Sequence, residues 1–300
     1  MSPSTPASAT EAAVAPGALA ARAVGGADTA GRRNLFRRHP TLVGGVACLA
    51  LILVIGVAAP LWGTVDPTSL RPIARLRAPA AEHWFGTDQY GRDIYSRTLY
   101  GGRISLLVGV IVAVASLILG IGIGLVTGYY RRLDAAVMRV MDGLMAIPAI
   151  LLALALMALM RTSVRNVIIA LVVPEIPRVV RLVRASVLSL REQTMVEGAR
   201  ALGARTPRIL GLYILPALVA PLIVQGTYIC ASAILFEAYL SFLGAGTPPD
   251  IPSWGNIMAE GRAYVQRAFW IILFPGAFLA ATVLAVNLVG DGLRDLLKVR

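Results

Sequence analysis

The chain has 300 residues, of which 57% are hydrophobic and only 15% are charged. So few charges are unusual in a soluble domain of this length, and most of the chain therefore belongs in lipid. The formal net charge is +12, but the basic residues lie in short patches between apolar runs. A nucleic-acid-binding domain gathers its charge on one exposed surface, so this distribution favours a membrane protein.

The first forty residues form a tail in front of the first apolar run. Residues 1–31 are rich in Ala, Ser, Thr, Pro and Gly and have no hydrophobic period, which predicts disorder. The uncharged run at 41–62 is longer than the apolar core of a signal peptide. It is long enough to span a membrane, which needs about 20 apolar residues. The tail ends in a basic block that predicts a cytoplasmic N-terminus. This block contains Arg32, Arg33, Arg37 and Arg38.

Five further apolar runs predict an all-α membrane protein with about six transmembrane helices. They cover 104–129, 138–160, 164–185, 213–244 and 269–290. Six spans place both termini in the cytoplasm, and the arginines are more numerous on that side. The fourth span is the weakest, because Pro174 and Pro177 interrupt it and are expected to kink or break its helix, as a gate or as a fixed bend.

This topology divides the chain into three parts. Residues 1–40 form the basic, disordered tail, and residues 41–103 hold the first span and an extracytoplasmic segment. Residues 104–300 form a five-helix core with a cytoplasmic loop at 186–212. Small residues recur every four positions in the second span, which predicts a close helix contact, either within the chain or with another subunit. They are Gly120, Gly124 and Gly128.

The loop contains a polar stretch, 197–216, that reads EGARALGARTPRILGLYILP. Good helix formers at 197–202 predict a short helix, which Gly203 is expected to end in the left-handed conformation. Thr206 is then predicted to cap a second helix with Pro207 at its first position. Two short helices at an angle would form a rigid projection that suits force transfer from a cytoplasmic partner.

Three acidic residues, Asp142, Glu175 and Glu237, lie at or near membrane depth. An unpaired charge there is costly, so each is expected to face a cavity or to find a partner. One interpretation is that they line a translocation path. The other is that they are paired at a helix interface, with Arg178 or Arg181 as the partner of Glu175.

The polar stretch resembles the EAA loop of bacterial ABC-importer permeases, with Gly198 in place of the usual alanine. Four more segments are similar to the dipeptide/oligopeptide/nickel permease family, and the first of them is similar to the C-type subunit of that family. They read HWFGTDQYGRD at 83–93, GYYRRLDAAVMRVMDGLMAIP at 128–148, EAYLSFLGAGTPPDIPSWGNIM at 237–258 and NLVGDGLRD at 287–295.

The resemblance implies a type I ABC importer permease in the bacterial plasma membrane. Its partners would be a second homologous permease, two ATPase subunits and an extracytoplasmic substrate-binding protein. The residues expected to couple to the ATPases are Glu197, Gly198, Ala199, Arg200, Ala201, Leu202 and Gly203. Residues 86–93 predict an outer turn leading into a helix along the membrane, since their spacing does not fit a calcium loop. With 246–268 they would form the platform for the binding protein, through Asp88, Asp93 and Trp254.

The chain is not expected to be an enzyme or to bind a cofactor or metal. A phosphate-binding loop needs a lysine followed by Ser or Thr, whereas the single lysine, Lys298, precedes Val299. ATP and Mg²⁺ would therefore belong to the partner ATPases. Di- or oligopeptides are the favoured substrates, with nickel chelates or glutathione as alternatives. A secondary transporter or channel is the less favoured interpretation, since it would need paired repeats. A membrane hydrolase is not favoured either, because the sequence shows no Ser/His, Cys/His or metal-binding arrangement at membrane depth.

Overall fold

The computed structural model describes residues 40–298, so the predicted disordered tail and its basic block lie outside the described residues. Ten α-helices occur in the described part, which contains no β-sheet. They are α1 (Pro40–Val57), α2 (Ile94–Tyr129), α3 (Arg131–Ala146), α4 (Ala149–Leu159), α5 (Val164–Leu190), α6 (Thr194–Ala201), α7 (Thr206–Ile209), α8 (Leu215–Phe242), α9 (Trp254–Gly261) and α10 (Trp270–Lys298).

Four of the six predicted spans are helices long and apolar enough to cross a membrane: α1, α2, the continuous helical segment Thr206–Phe242, and α10. The bent pair of α3 and α4 adds a fifth. Helix α5 is the remaining predicted span. Its charged residues keep it outside this class, yet its apolar side chains are largely buried among the other helices. The architecture is thus an all-α membrane bundle.

The third span was predicted as one helix, and this is wrong. Helices α3 and α4 meet at an angle of 91°, with the break at Ile147 and Pro148. Ile147 is extended, with φ −95° and ψ 129°. A proline ring clashes with a helical residue before it, so Pro148 forces Ile147 out of the helix and ends α3 there.

Pro174 and Pro177 were predicted to kink or break the fourth span, and the break is wrong, because α5 stays helical through both residues. Each proline removes one backbone hydrogen bond. The turns that follow the two prolines pack closely against α2. Pro148 therefore ends a helix inside a span that was predicted to be one helix. Pro174 and Pro177 lie inside one continuous helix, where a kink or a break was predicted.

The glycines of α2 make that close packing possible. A Cβ atom built on Gly120 would stand 2.4 Å from Cβ of Val179, and one on Gly128 would stand 2.7 Å from Cβ of Val187. Such separations are well inside van der Waals contact, so any larger residue would push the helices apart. The predicted close contact is thus confirmed, and it lies within the chain.

Helix α2 begins at Ile94, directly after the turn at 86–93, and runs for 36 residues. The carboxylate of Asp93 caps it by accepting a hydrogen bond from the backbone N–H of Ser96 at 2.8 Å. The separate helix predicted along the membrane is therefore absent from this segment, because the cap starts the long helix at once. A helix of this length reaches about 54 Å, more than a bilayer core requires.

Candidate functional site

Residues 186–212, the loop predicted to couple to the ATPases and called the coupling loop below for that prediction, contain the predicted bend. Helix α6 begins at Thr194 and ends before Gly203, whose φ is +81°. The N–H of Gly203 donates to the carbonyl of Arg200 at 3.0 Å, and the N–H of Ala204 donates to the carbonyl of Ala199 at 3.0 Å. These two bonds form a Schellman motif, which satisfies the last carbonyls of the helix and requires a left-handed residue. The role predicted for Gly203 in ending the helix is confirmed.

The predicted cap of the second helix is displaced by one residue. The N–H groups of Arg208 and Ile209 donate to the carbonyl of Arg205, which makes Arg205 the capping residue. Thr206 is instead the first residue of α7, and Pro207 is the second. The capping prediction for Thr206 is wrong because a side-chain cap was expected, whereas no side chain caps this helix.

One face of the coupling loop is anchored and the other is free. Val196 and Ile209 are each 1% exposed and pack into the main core cluster. Leu202, directly after α6, is 90% exposed, and Glu197 and Arg200 are exposed on α6. A large apolar side chain presented on a rigid bend is the pattern of a contact surface rather than of a packed core.

Gly198 replaces the alanine that is usual at this position of the EAA loop, and the structure has room for that alanine. A Cβ atom at Gly198 would meet nothing within 4 Å. The glycine is therefore not required by a close contact, and it leaves α6 somewhat less stable than alanine would.

The three membrane-depth acids have different surroundings. Asp142 accepts a hydrogen bond from Arg181 at 2.6 Å, and both side chains are about half exposed. Glu175 is 1% exposed and pairs with Arg178 at 3.2 Å, so Arg178 rather than Arg181 is its partner. The pairing of these two acids is therefore a feature of the folded chain.

Glu237 is fully buried and has no cationic partner among residues 40–298. Its carboxyl group instead accepts hydrogen bonds from Ser105 at 3.1 Å and Ser241 at 2.9 Å. The hydroxyl of Thr247 lies 3.5 Å away. These hydroxyls satisfy the oxygen atoms that burial would otherwise leave without partners. The paired-charge interpretation therefore does not hold for Glu237.

The residues predicted to dock the binding protein are buried. Asp88 and Trp254 have no exposed surface, and Asp93 is 8% exposed. Asp88 accepts hydrogen bonds from Arg92 and Arg97, while the indole N–H of Trp254 donates to the carbonyl of Thr98 at 2.9 Å. A side chain without surface cannot touch a partner directly, so these residues can serve docking only through the surface that they hold in place.

Asp88 belongs to a largely buried ion-pair cluster that local sequence does not reveal. Arg97 donates to Asp88 at 2.8 Å and to Glu260 at 2.6 Å, and Arg92 contacts the same two carboxylates. The cluster joins the 83–93 segment to α9, which is distant in sequence, and so supports the prediction that the two segments lie together. Glu260 was missed, because nothing next to it in the chain marks it as the partner of a distant arginine.

Within residues 40–298, no group of three or more His, Cys, Asp or Glu side chains is arranged to hold a metal ion.

Comparisons with known proteins agree with this architecture. Residues 102–300 match the family described as "Binding-protein-dependent transport system inner membrane component". The "Probable peptide ABC transporter permease protein y4tQ" of Sinorhizobium fredii is 50% identical over 267 residues, covering 89% of this chain and 91% of that protein. The "Dipeptide transport system permease protein DppC" of Alkalihalophilus pseudofirmus is 41% identical over 263 residues, covering 87% of this chain and 86% of that protein.

A solved structure of the MetNI methionine ABC transporter in inward-facing conformations matches with a TM-score of 0.56. It is 20% identical, and the match covers 67% of this chain and 94% of the matched chain. At this identity the match supports the fold and nothing further. With an all-helical membrane bundle, a family match over most of the chain and close relatives along nearly its full length, this chain belongs to the binding-protein-dependent transport system inner membrane components, the multi-pass permease subunits of ABC importers.

Proposed function

We propose that this permease imports di- or oligopeptides, with its coupling loop receiving the motion of cytoplasmic ATPase subunits. The observation that carries the coupling role is Leu202, an almost fully exposed leucine held on a bend whose inner face is buried. The peptide substrate is supported by the names of the relatives, several of which are peptide or dipeptide permeases.

The chain itself supplies no nucleotide site in this proposal. Its single lysine is not followed by Ser or Thr, so ATP and Mg²⁺ are handled by the partner ATPases. A second homologous permease completes the passage, and both termini lie in the cytoplasm. Asp142, whose side chain is more than half exposed, is the acid best placed to meet substrate or water in that passage.

The outer platform, formed by 83–93 and the α9 region, receives the substrate-binding protein. Asp88, Asp93 and Trp254 position it from inside, and the exposed Trp84 and Tyr90 offer contact surface on the same segment. Exposed aromatic side chains are common anchors in protein interfaces.

Photo-crosslinking tests the coupling role. A photo-reactive residue is placed at Leu202, which is 90% exposed, and the control is placed at Leu159, which is 86% exposed at the end of α4. The residue at 202 is expected to crosslink to an ATPase subunit and the one at 159 is not. Equal crosslinking at both positions, or none at 202, would overturn the proposal.

Uptake assays test the substrate. Cells that depend on this permease are given labelled dipeptide, oligopeptide, nickel chelate or glutathione, with and without depletion of ATP. Peptide uptake that stops on depletion is expected. Uptake only of nickel chelate or glutathione would reassign the substrate within the family, and peptide uptake that survives depletion would contradict the ATP-driven mechanism.

A further inference from the structure

A groove of about 900 Å³ lies between the end of α2 and the coupling loop. We call it the arginine groove, since four of its nine lining residues are arginines. The lining consists of Tyr129, Tyr130, Arg131, Arg132, Leu133, Arg191, Glu192, Glu197 and Arg200.

The charge of the groove is unbalanced. Two glutamates face four arginines, and Arg191 is already engaged by the carbonyl of Gly128 at 3.1 Å and by Glu192 at 3.7 Å. Arg131, Arg132 and Arg200 are exposed, and no ion pair involves them in the part of the chain that the structure describes. Arginines gathered around one cavity repel one another, and their planar groups suit phosphate oxygens.

The groove lies where a membrane span ends. Its floor begins at Tyr129 and Tyr130, the residues at which the apolar helix α2 stops. The two rings are 5.4 Å apart in an edge-to-face arrangement, and Tyr130 is 49% exposed. Tyrosines are enriched at the level of lipid headgroups because they present an apolar ring and a polar hydroxyl.

An exposed apolar stripe on α2 leads into the same groove. Val114, Ile118 and Val126 are 49%, 64% and 40% exposed. The spacing of four residues continues through Gly122, where a Cβ atom would meet nothing within 4 Å, and ends at Tyr130. This stripe faces away from the glycines that pack on α5, so it forms a separate surface that runs from the membrane span to the arginines.

We propose that the arginine groove binds the phosphate headgroup of an anionic membrane lipid, with an acyl chain along the stripe that ends at Tyr130. A cationic cavity joined to an apolar stripe favours a lipid, because inorganic phosphate has no apolar part that could contact the stripe. An acidic protein segment would fill the cavity but leave the stripe unexplained. Basic pockets between membrane helices at the headgroup level are suited to such lipids.

Native mass spectrometry of the purified transporter complex tests the site. Phosphatidylglycerol is titrated against zwitterionic phosphatidylcholine of the same acyl chains. The double variant Arg131→Gln/Arg132→Gln is compared with Arg139→Gln, an exposed arginine on the same helix that does not line the groove. Each surface arginine contributes roughly fivefold to lipid affinity, so the double variant is expected to bind phosphatidylglycerol about 25-fold more weakly. The Arg139 variant is expected to match the wild type.

Three results would overturn the proposal: equal binding of the two lipids, unchanged phosphatidylglycerol binding by the double variant, or full displacement of the lipid by inorganic phosphate. Loss of the ATPase subunits from the double variant with lipid binding unchanged would instead assign the groove to a protein segment. The test does not depend on the coupling role, since lipid binding and crosslinking at Leu202 are separate measurements.

Discussion

Gly124 lies directly against Val183, so that a Cβ atom added to the glycine would stand 2.7 Å from Cβ of the valine. The contact is the middle one of three between α2 and α5, and it shows that a helix rich in charge is held in the bundle by backbone-to-valine packing. Lipid provides no hydrophobic drive for helices to associate, so this kind of close packing must supply the attraction.

Replacing that glycine is expected to loosen the helix pair. Gly124→Ala should lower the free energy of unfolding by about 1–3 kcal/mol, because the added methyl group overlaps a buried valine. Gly122→Ala is the matched control on the open face of the same helix, and it should be neutral or stabilising by at most about 1 kcal/mol. SDS titration of the purified protein measures the free energy of unfolding of both variants. Equal stability of the two variants would contradict the packing role of Gly124.

The bend at Gly203 supports a second prediction. Gly203→Asp should abolish uptake while the protein still reaches the membrane, because it places a negative charge on the proposed docking surface. Gly203→Asn is the control: it has nearly the same shape, and asparagine tolerates the left-handed conformation that φ of +81° demands. It is expected to retain most of the uptake. Normal uptake by the aspartate variant would argue against coupling through this loop.

The ion-pair cluster supports a third prediction. Arg97 is 1% exposed and joins Asp88 to Glu260, so Arg97→Ala leaves buried carboxylates with fewer partners. Loss of one member of a buried ion pair costs about 3–5 kcal/mol. Arg75→Ala, at an exposed arginine of the same outer region, should change stability by less than about 0.5 kcal/mol. Thermal unfolding and proteolysis of the 83–93 segment provide the measurements, and a stable Arg97 variant would refute the role of the cluster.

Exposure of the acids supports a fourth prediction, which concerns the passage. In a background with Cys48 and Cys230 replaced by alanine, Asp142→Cys should react with a water-soluble thiol reagent. Glu175→Cys should not, since the side chain of Asp142 is 58% exposed and that of Glu175 is 1% exposed. Rapid labelling at 175 would show that this residue, too, is reached by water and would return it to the list of path residues.

Features that depend only on neighbouring residues could be predicted from the amino-acid sequence. The apolar runs predicted the membrane helices, the small residues at every fourth position predicted a close contact, and Gly203 predicted the end of a short helix. Each of these features depends on composition, periodicity or backbone freedom within a few residues, so it can be predicted from a short stretch of sequence.

The partners of the polar residues, and the effect of each proline, became visible only in the folded chain. Pro148 separates two helices that meet at 91°, while Pro174 and Pro177 lie within one continuous helix that packs against α2. Glu237 accepts a hydrogen bond from Ser105 of the distant helix α2 as well as from Ser241 one turn along its own helix, and Asp88 shares Arg97 with a carboxylate far along the chain. These outcomes depend on contacts between residues that are distant in sequence, which only the folded chain brings together.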